Sequence, residues 1–181
     1  MTASDLSNSE LLILGLISEM PRHGYELETV IDKRGMREWT QIGFSSIYYT
    51  LGKLNNKGYI TAETPESEKS KKRYSITGKG THVLKNQAIR ALKTLQPSYP
   101  SLLLGMIHIP TLSQEQVVEA LRDRRDALSA ELERIKGIHF DQQPLPDYID
   151  AVFEYSINQL NAEADWVKNT LAYLKTKTWI Y

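Results

Sequence analysis

Residues 44–57 constrain this chain more than any other stretch. Projected onto a helix at about 100° per residue, Phe44, Ile47, Tyr48, Leu51 and Leu54 gather on one side as a core-facing stripe. The opposite arc carries Ser45, Ser46, Tyr49, Thr50, Gly52, Lys53, Asn56 and Lys57. It offers hydroxyls, an amide and cations, and no carboxylate. A solvated helix face ordinarily mixes both signs of charge, so a face without acid points to an anionic partner. Gly58 is placed to end the helix, and Tyr59-Ile60-Thr61-Ala62 reads as a short strand leaving it.

The next fifteen residues complete a pattern. Glu63-Thr64-Pro65-Glu66-Ser67-Glu68-Lys69-Ser70 is polar and rich in breakers, suited to a hairpin tip, and Lys71-Lys72-Arg73-Tyr74-Ser75-Ile76 is a basic return strand. Thr77 can then cap a helix that begins at Gly78 and runs to about Leu95. A polar helix followed by a basic hairpin is the order of a winged helix-turn-helix, in which the helix enters a groove and the wing holds the phosphate backbone. Lys69, Lys71, Lys72 and Arg73 taken alone could be no more than a charged edge that blocks strand aggregation. Beside the carboxylate-free helix they read as a DNA-binding wing.

Charge distribution supports that reading. The 181-residue chain is neutral overall, with 22 basic and 22 acidic side chains. Residues 1–98 nevertheless hold 14 Lys and Arg against 10 Asp and Glu, and residues 99–181 hold 8 against 12. Between Lys53 and Lys93 there are ten basic and three acidic residues. One end is built to meet an anion and the other is not. So small a surplus allows few phosphate contacts per subunit, which favours salt-sensitive binding by two subunits together.

Upstream, Ser9-Glu10 opens a helix through Leu11-Leu12-Ile13-Leu14-Gly15-Leu16-Ile17 to about Glu19; Pro21-Arg22-His23-Gly24 is a turn; a second helix runs from Tyr25 to about Lys33. Gln96-Pro97-Ser98-Tyr99-Pro100 is the best boundary in the chain, dividing residues 1–96 from 97–181. Beyond it, Ser113 and Gln116 form a capping box for a helix reaching about Ile138, with Val118, Leu121, Leu128, Leu132 and Ile135 on one side and Arg125 interrupting the seam. Gly137 and the prolines at 144 and 146 separate it from a last helix over 146–175. There Phe153, Ile157, Leu160, Ala164, Val167, Leu171 and Leu174 recur at spacings of 4 and 3, a seam of three heptads. This seam is expected to form the interface of a homodimer, because two antiparallel helices close little core alone. The fold class expected is mainly α with a small β-hairpin wing: a winged helix-turn-helix domain plus an α-helical, coiled-coil-like dimerisation domain.

Three segments carry a family likeness. Leu11–Ile17 followed by His23-Gly24-Tyr25-Glu26-Leu27 resembles the opening of PadR-family transcriptional regulators, an apolar helix and then an H-G-Y-E/D-L turn. Ser46-Ile47-Tyr48-Tyr49-Thr50-Leu51-Gly52-Lys53-Leu54 with Gly58-Tyr59-Ile60 resembles that family's recognition helix, T-L-Y-x-x-L-x-R-L-E-x-x-G-L-I. Lys71-Lys72-Arg73-Tyr74-Ser75-Ile76-Thr77 with Gly80 resembles its wing, R-K-Y-Y-x-L-T-x-x-G. The chain departs from these patterns at Phe44-Ser45, where Pro-Gly is common, and at Arg73, which replaces an aromatic. The long C-terminal helices, with Glu163 and Trp166 on the last of them, resemble the subgroup with a Vir-type two-helix domain.

The resemblance implies a sequence-specific DNA-binding regulator, a homodimeric repressor tuned by a small aromatic, phenolic or planar hydrophobic effector. Residues implied to meet DNA are Ser45, Ser46, Tyr48, Tyr49, Lys53, Lys57, Lys69, Lys71, Lys72 and Arg73. Trp166, Tyr155 and His108 are the effector-binding candidates. The rival reading is a winged-helix module that binds an acidic protein partner, against which the polar centre of the 45–57 face argues. Catalysis is not expected, since His23, His82, His108 and His139 are scattered without metal-ligand or triad spacing. No nucleotide-binding glycine motif is present, so no cofactor is expected, and without cysteine there are no disulfides or thiolate metal sites. Neither a signal-peptide pattern nor a bilayer-spanning run is legible, so the expected location is the cytoplasm.

Overall fold

The computed structural model describes residues 6–38, 40, 42–63 and 72–176. The chain divides into two compact units, Met1–Gln96 and Pro97–Tyr181.

In the first unit, α1 (Asn8–Glu19) begins slightly earlier than Ser9 suggests. Its cap is Ser7: the Ser7 side chain accepts the Glu10 N–H at 3.2 Å, and the Glu10 carboxylate accepts the Ser7 N–H at 2.8 Å. Two end donors are thereby satisfied reciprocally. Ile13, Leu14, Leu16 and Ile17 are buried on the inner face. The expected turn at Pro21–Gly24 contains a two-residue strand, β1 (Arg22–His23). It exists because β3 has a second edge whose backbone groups need partners. Then come α2 (Gly24–Lys33), α3 (Phe44–Asn56), β2 (Ile60–Glu63), β3 (Arg73–Ile76) and α4 (Gly78–Lys93).

The sheet is antiparallel in the order β1-β3-β2, with Ile60 opposite Ile76 and Glu63 opposite Arg73. Gly58 ends α3 at φ 69°, a left-handed conformation that glycine adopts without steric cost. The core joins α1, α2, α3 and β2 through Leu27, Ile31, Ile42, Ile47, Leu51, Leu54, Tyr59 and Ile60, with Val83 of α4 closing it.

The second unit contains α5 (Ser101–Ile107), a short 3-10 turn over Ile109–Thr111, α6 (Gln114–Asp141) and α7 (Asp147–Thr176). The Ser113/Gln116 box starts α6. Gly137 does not stop it, and the helix continues to Asp141. Contacts beyond the glycine offset the roughly 1 kcal/mol a helical glycine costs. The His139 ring stacks on Phe153 of α7 with centroids 4.6 Å apart, and its Nε2 lies 2.7 Å from the Asp150 carboxylate. Hydrogen bonds from His139 and then Gln143 hold the Asp150 carboxyl below its ordinary range.

The α7 seam faces α6 of the same chain. Val167 and Leu174 pack with Val117, Leu121 and Leu128, and Phe153 is fully buried. Of the seven positions expected at a homodimer interface, Phe153, Val167 and Leu174 are buried within the chain itself, at 0%, 0% and 4% exposure. Ile157, Leu160, Ala164 and Leu171 stay partly exposed. On α6 the innermost residue of the first turns is Val117, with the expected Val118 half-buried beside it. Among the described residues, no helix is long and apolar enough to cross a membrane.

Candidate nucleic-acid interface

The buried arc of α3 is turned relative to the arc read from its apolar residues. Ile47, Leu51 and Leu54 are fully buried as expected, but Thr50, assigned to the outer face, is 3% exposed. Tyr48, assigned to the inner arc, is 48% exposed. The contact of Glu10 in α1 with Lys57, which shares a face with Thr50 and Leu54, puts α1 on that side, so burial is centred there rather than on the aromatic. The outward face then consists of Ser45, Tyr48, Tyr49, Gly52, Lys53, Asn55 and Asn56, with Ser46 half-buried at its margin. Tyr49 is 67% exposed, and the Lys53 Nζ sits 5.1 Å from its ring centroid, one helical turn on. The pair presents a hydroxyl and a cation together, stiffened by the cation–π contact.

Gly52 and Asn56 complete this face, although sequence reasoning does not single them out as DNA contacts. Their signal is the spacing from Ser45 and Tyr49. Gly52 leaves the helix surface bare, so a ligand can come close to the backbone there.

Tyr48 lies over Gly24, where an added Cβ would stand 2.7 Å from the tyrosine ring. Burial pushes the Tyr74 phenol up, and the neighbouring Tyr48 adds to the shift. These contacts hold Tyr48 between the start of α2 and the sheet. His23 is structural: its N–H donates to Glu26 at 2.6 Å and its Nδ1 donates to the Lys72 carbonyl at 3.1 Å. The ring also stacks on Tyr25 at 5.5 Å. The base of the wing is thus pinned to the turn before α2.

Lys72 and Arg73 are exposed on the wing, and Arg73 reaches the Pro21 carbonyl at 3.4 Å. Glu63 stands opposite Arg73 in the ladder and tempers its charge. Lys69 and Lys71 lie outside the described residues.

Lys57, also expected to meet DNA, is engaged within the unit. Its Nζ lies 2.5 Å from Glu10 of α1, whose residue is 3% exposed, and its backbone carbonyl accepts a 2.8 Å hydrogen bond from Lys79. The ammonium is paired with a buried carboxylate, which offsets its charge at the surface. Burial alone would raise the Glu10 pKa; the hydrogen bond from Lys57, that from the Ser7 N–H and the Lys57 charge outweigh it and hold the carboxyl low.

Two of the effector candidates are well separated. Trp166 and Tyr155 lie on one face of α7 but eleven residues apart, roughly 16 Å along the axis. His108 follows the last turn of α5 and is exposed. A cavity of about 530 Å³ lies along α1, lined by Leu11, Leu12, Leu16, Met36 and Thr40 among others, and one of about 340 Å³ lies between α6 and α7. Neither is lined by any of the three.

The likeness to known proteins falls on this architecture. Crystal structures of Bacillus subtilis PadR match over nearly the whole chain. One, in complex with operator DNA, is 23% identical, covers 91% of this chain and 98% of its own, and has a TM-score of 0.74. Another, in complex with p-coumaric acid, is 23% identical, with coverages of 92% and 98% and a TM-score of 0.75. A PadR-like transcriptional regulator from Bacillus cereus is 18% identical, with coverages of 94% and 100% and a TM-score of 0.69. These likenesses establish a shared fold. No curated protein is a significant match to the sequence. Residues 13–86, which contain α1 from its second turn through the wing and half of α4, match the model of the transcriptional regulator PadR-like family. Over these residues the chain is similar to the PadR-like family of transcriptional regulators, and along nearly its whole length it shares the fold of Bacillus subtilis PadR.

Proposed function

We propose that this protein is a transcriptional regulator, a homodimeric, sequence-specific repressor in which residues 1–96 bind operator DNA and residues 97–181 provide dimerisation and the response to a small effector. One observation carries the DNA reading. The outward face of α3 presents Ser45, Tyr49, Lys53 and Asn56 without a carboxylate, beside a wing bearing Lys72 and Arg73. Short hydroxyl side chains at the start of the helix can reach base edges or phosphates, while Lys53, Lys72 and Arg73 hold the backbone. Ser46, Tyr48, Lys69 and Lys71 belong to the same proposed surface. Separate structures of Bacillus subtilis PadR with operator DNA and with p-coumaric acid support a DNA-binding protein of this fold that takes a small ligand. The site has no catalytic role, and the protein works in the cytoplasm.

Dimerisation draws on surface that α6 leaves uncovered. Ile157, Leu160 and Ala164 contribute what remains of the seam, and Leu103, Leu104 and Ile107 of α5 add exposed apolar side chains from the same unit.

The test is fluorescence anisotropy against the DNA upstream of the protein's own gene, with scrambled duplex as control, over a range of salt. The native protein should bind its own upstream DNA more tightly at matched salt. Lys72→Ala combined with Arg73→Ala should weaken binding to both duplexes by about tenfold or more and lower the salt slope by roughly 2. Unchanged affinity would remove the wing from the mechanism. No binding at low salt would end the DNA reading and favour an acidic protein partner.

A further inference from the structure

The geometry points to a binding site between α6 and α7 for a small organic dianion with an apolar body. The groove encloses about 340 Å³ and is lined by Val118, Arg122, Arg125, Lys168, Leu171, Ala172 and Lys175. The helices run antiparallel, with the Gln114 side chain at the start of α6 donating to the Leu174 carbonyl near the end of α7 at 2.8 Å. Val118, Arg122 and Arg125 therefore share one face of α6, at spacings of 4 and 3. Lys168, Leu171, Ala172 and Lys175 share the opposing face of α7. Four cations rim a floor of three aliphatic side chains, and no carboxylate lines the groove.

The rest of the unit shows that this is not a shortage of acids. Residues 99–181 hold 12 acidic side chains against 8 basic ones. Away from the groove, Arg124 pairs with Glu163 at 2.5 Å, Arg134 with Glu131 at 2.7 Å and Lys136 with Glu133 at 3.2 Å. Within it, Arg125 pairs with its exposed neighbour Asp126, at 2.7 Å. Arg122, Lys168 and Lys175 have no carboxylate partner among the described residues. Cations concentrated in a concave site, three of the four without a carboxylate partner amid surplus acid, raise the local potential for an anion. Arginine adds a planar fork that matches carboxylate and phosphate alike. The aliphatic floor selects an anion with a hydrophobic body over a bare inorganic one. Arg125, which interrupts the heptad seam, has its place on this rim.

The site lies within the second unit, and its test reads binding directly, so its outcome is separate from that of the DNA experiment. Calorimetric titration of the full chain at fixed ionic strength would use phenyl phosphate and phthalate as probes, with inorganic phosphate and chloride as controls. At least one probe should bind once per chain and more tightly than inorganic phosphate. Phenyl phosphate alone would identify phosphate esters as the class, and phthalate alone dicarboxylates. Arg122→Gln with Lys168→Gln should weaken binding at least about tenfold with an unchanged unfolding curve. Arg134→Gln, at a paired position outside the groove, should leave it unchanged. Should the double variant misfold, Lys168→Gln alone should still show a loss. The proposal is overturned by absence of heat with both probes, by equal affinity for inorganic phosphate, or by equal losses in Arg134→Gln. It is also overturned if the groove variants dissociate the oligomer while the native protein takes up neither probe, since the rim would then belong to a subunit contact.

Discussion

Replacing Gly80 with alanine should lower the stability of the N-terminal unit by roughly 3 kcal/mol, a fall in Tm of about 10–20 °C. Thr77 caps α4 by accepting the Gly80 N–H at 3.0 Å, while its own N–H donates to the Tyr59 carbonyl at 3.0 Å. The first turn of α4 is thereby drawn against the backbone leaving α3. An alanine Cβ at position 80 would stand 2.0 Å from the Tyr59 carbonyl oxygen and 2.9 Å from Ile76 Cγ1. The obstacle is backbone at the start of β2, so no rotamer change relieves it, and either the cap or the strand must shift. Gly78, two residues earlier, is the control. Nothing lies within 4 Å of a Cβ there, so Gly78→Ala should be neutral or stabilising by up to about 1 kcal/mol. Thermal unfolding of the two variants decides it, and equal Tm values would refute the close approach.

Lys57→Ala should cost about 2–3 kcal/mol near neutral pH, although Lys57 sits at the end of the helix expected to bind DNA. Its side chain is 29% exposed, but the Glu10 side chain it neutralises is only 4% exposed. Removing the ammonium leaves a buried carboxylate with the Ser7 N–H as its remaining hydrogen-bond donor. Glu10→Gln should cost less, because the flexible lysine can turn to water.

The pH dependence separates the two causes. In the native protein the Glu10 pKa is held below its ordinary 4.5, so the pair's contribution is complete above that value and is lost as pH falls through the lowered one. In Lys57→Ala, burial acts with little opposition and raises the pKa. Stability of the variant should then improve as the carboxyl protonates in mild acid, and the gap to the native protein should narrow. Urea unfolding between pH 7 and pH 4 reads this directly; a gap that stays constant would mean the loss is packing rather than charge.

The parts of the fold that are local in chemistry are legible in the residues themselves. Thr77 and the Ser113/Gln116 box start their helices as expected, and Gly58 ends α3, because caps and left-handed stops are settled within a few residues. Ser7 with Glu10 obeys the same rule, although Ser9 stands nearer the apolar run and draws the eye first. The carboxylate-free face of α3 is also a property of composition and period, and it survives with Thr50 and Lys57 taken out.

What the tertiary structure decided is the choice among partners far apart in sequence. Thr50 is buried because α1 packs on its side of α3; Lys57 is consumed by a carboxylate 47 residues away; β1 exists because β3 has an edge to fill. The α7 seam is visible as a repeat, but an apolar stripe does not say whose surface it covers, and here α6 of the same chain takes Phe153, Val167 and Leu174. Sequence by itself determined where helices begin, end and carry charge, since those depend on neighbouring residues. Which faces meet, and so which cations remain free for a ligand, depended on burial and ion pairing that exist only once distant segments are packed together.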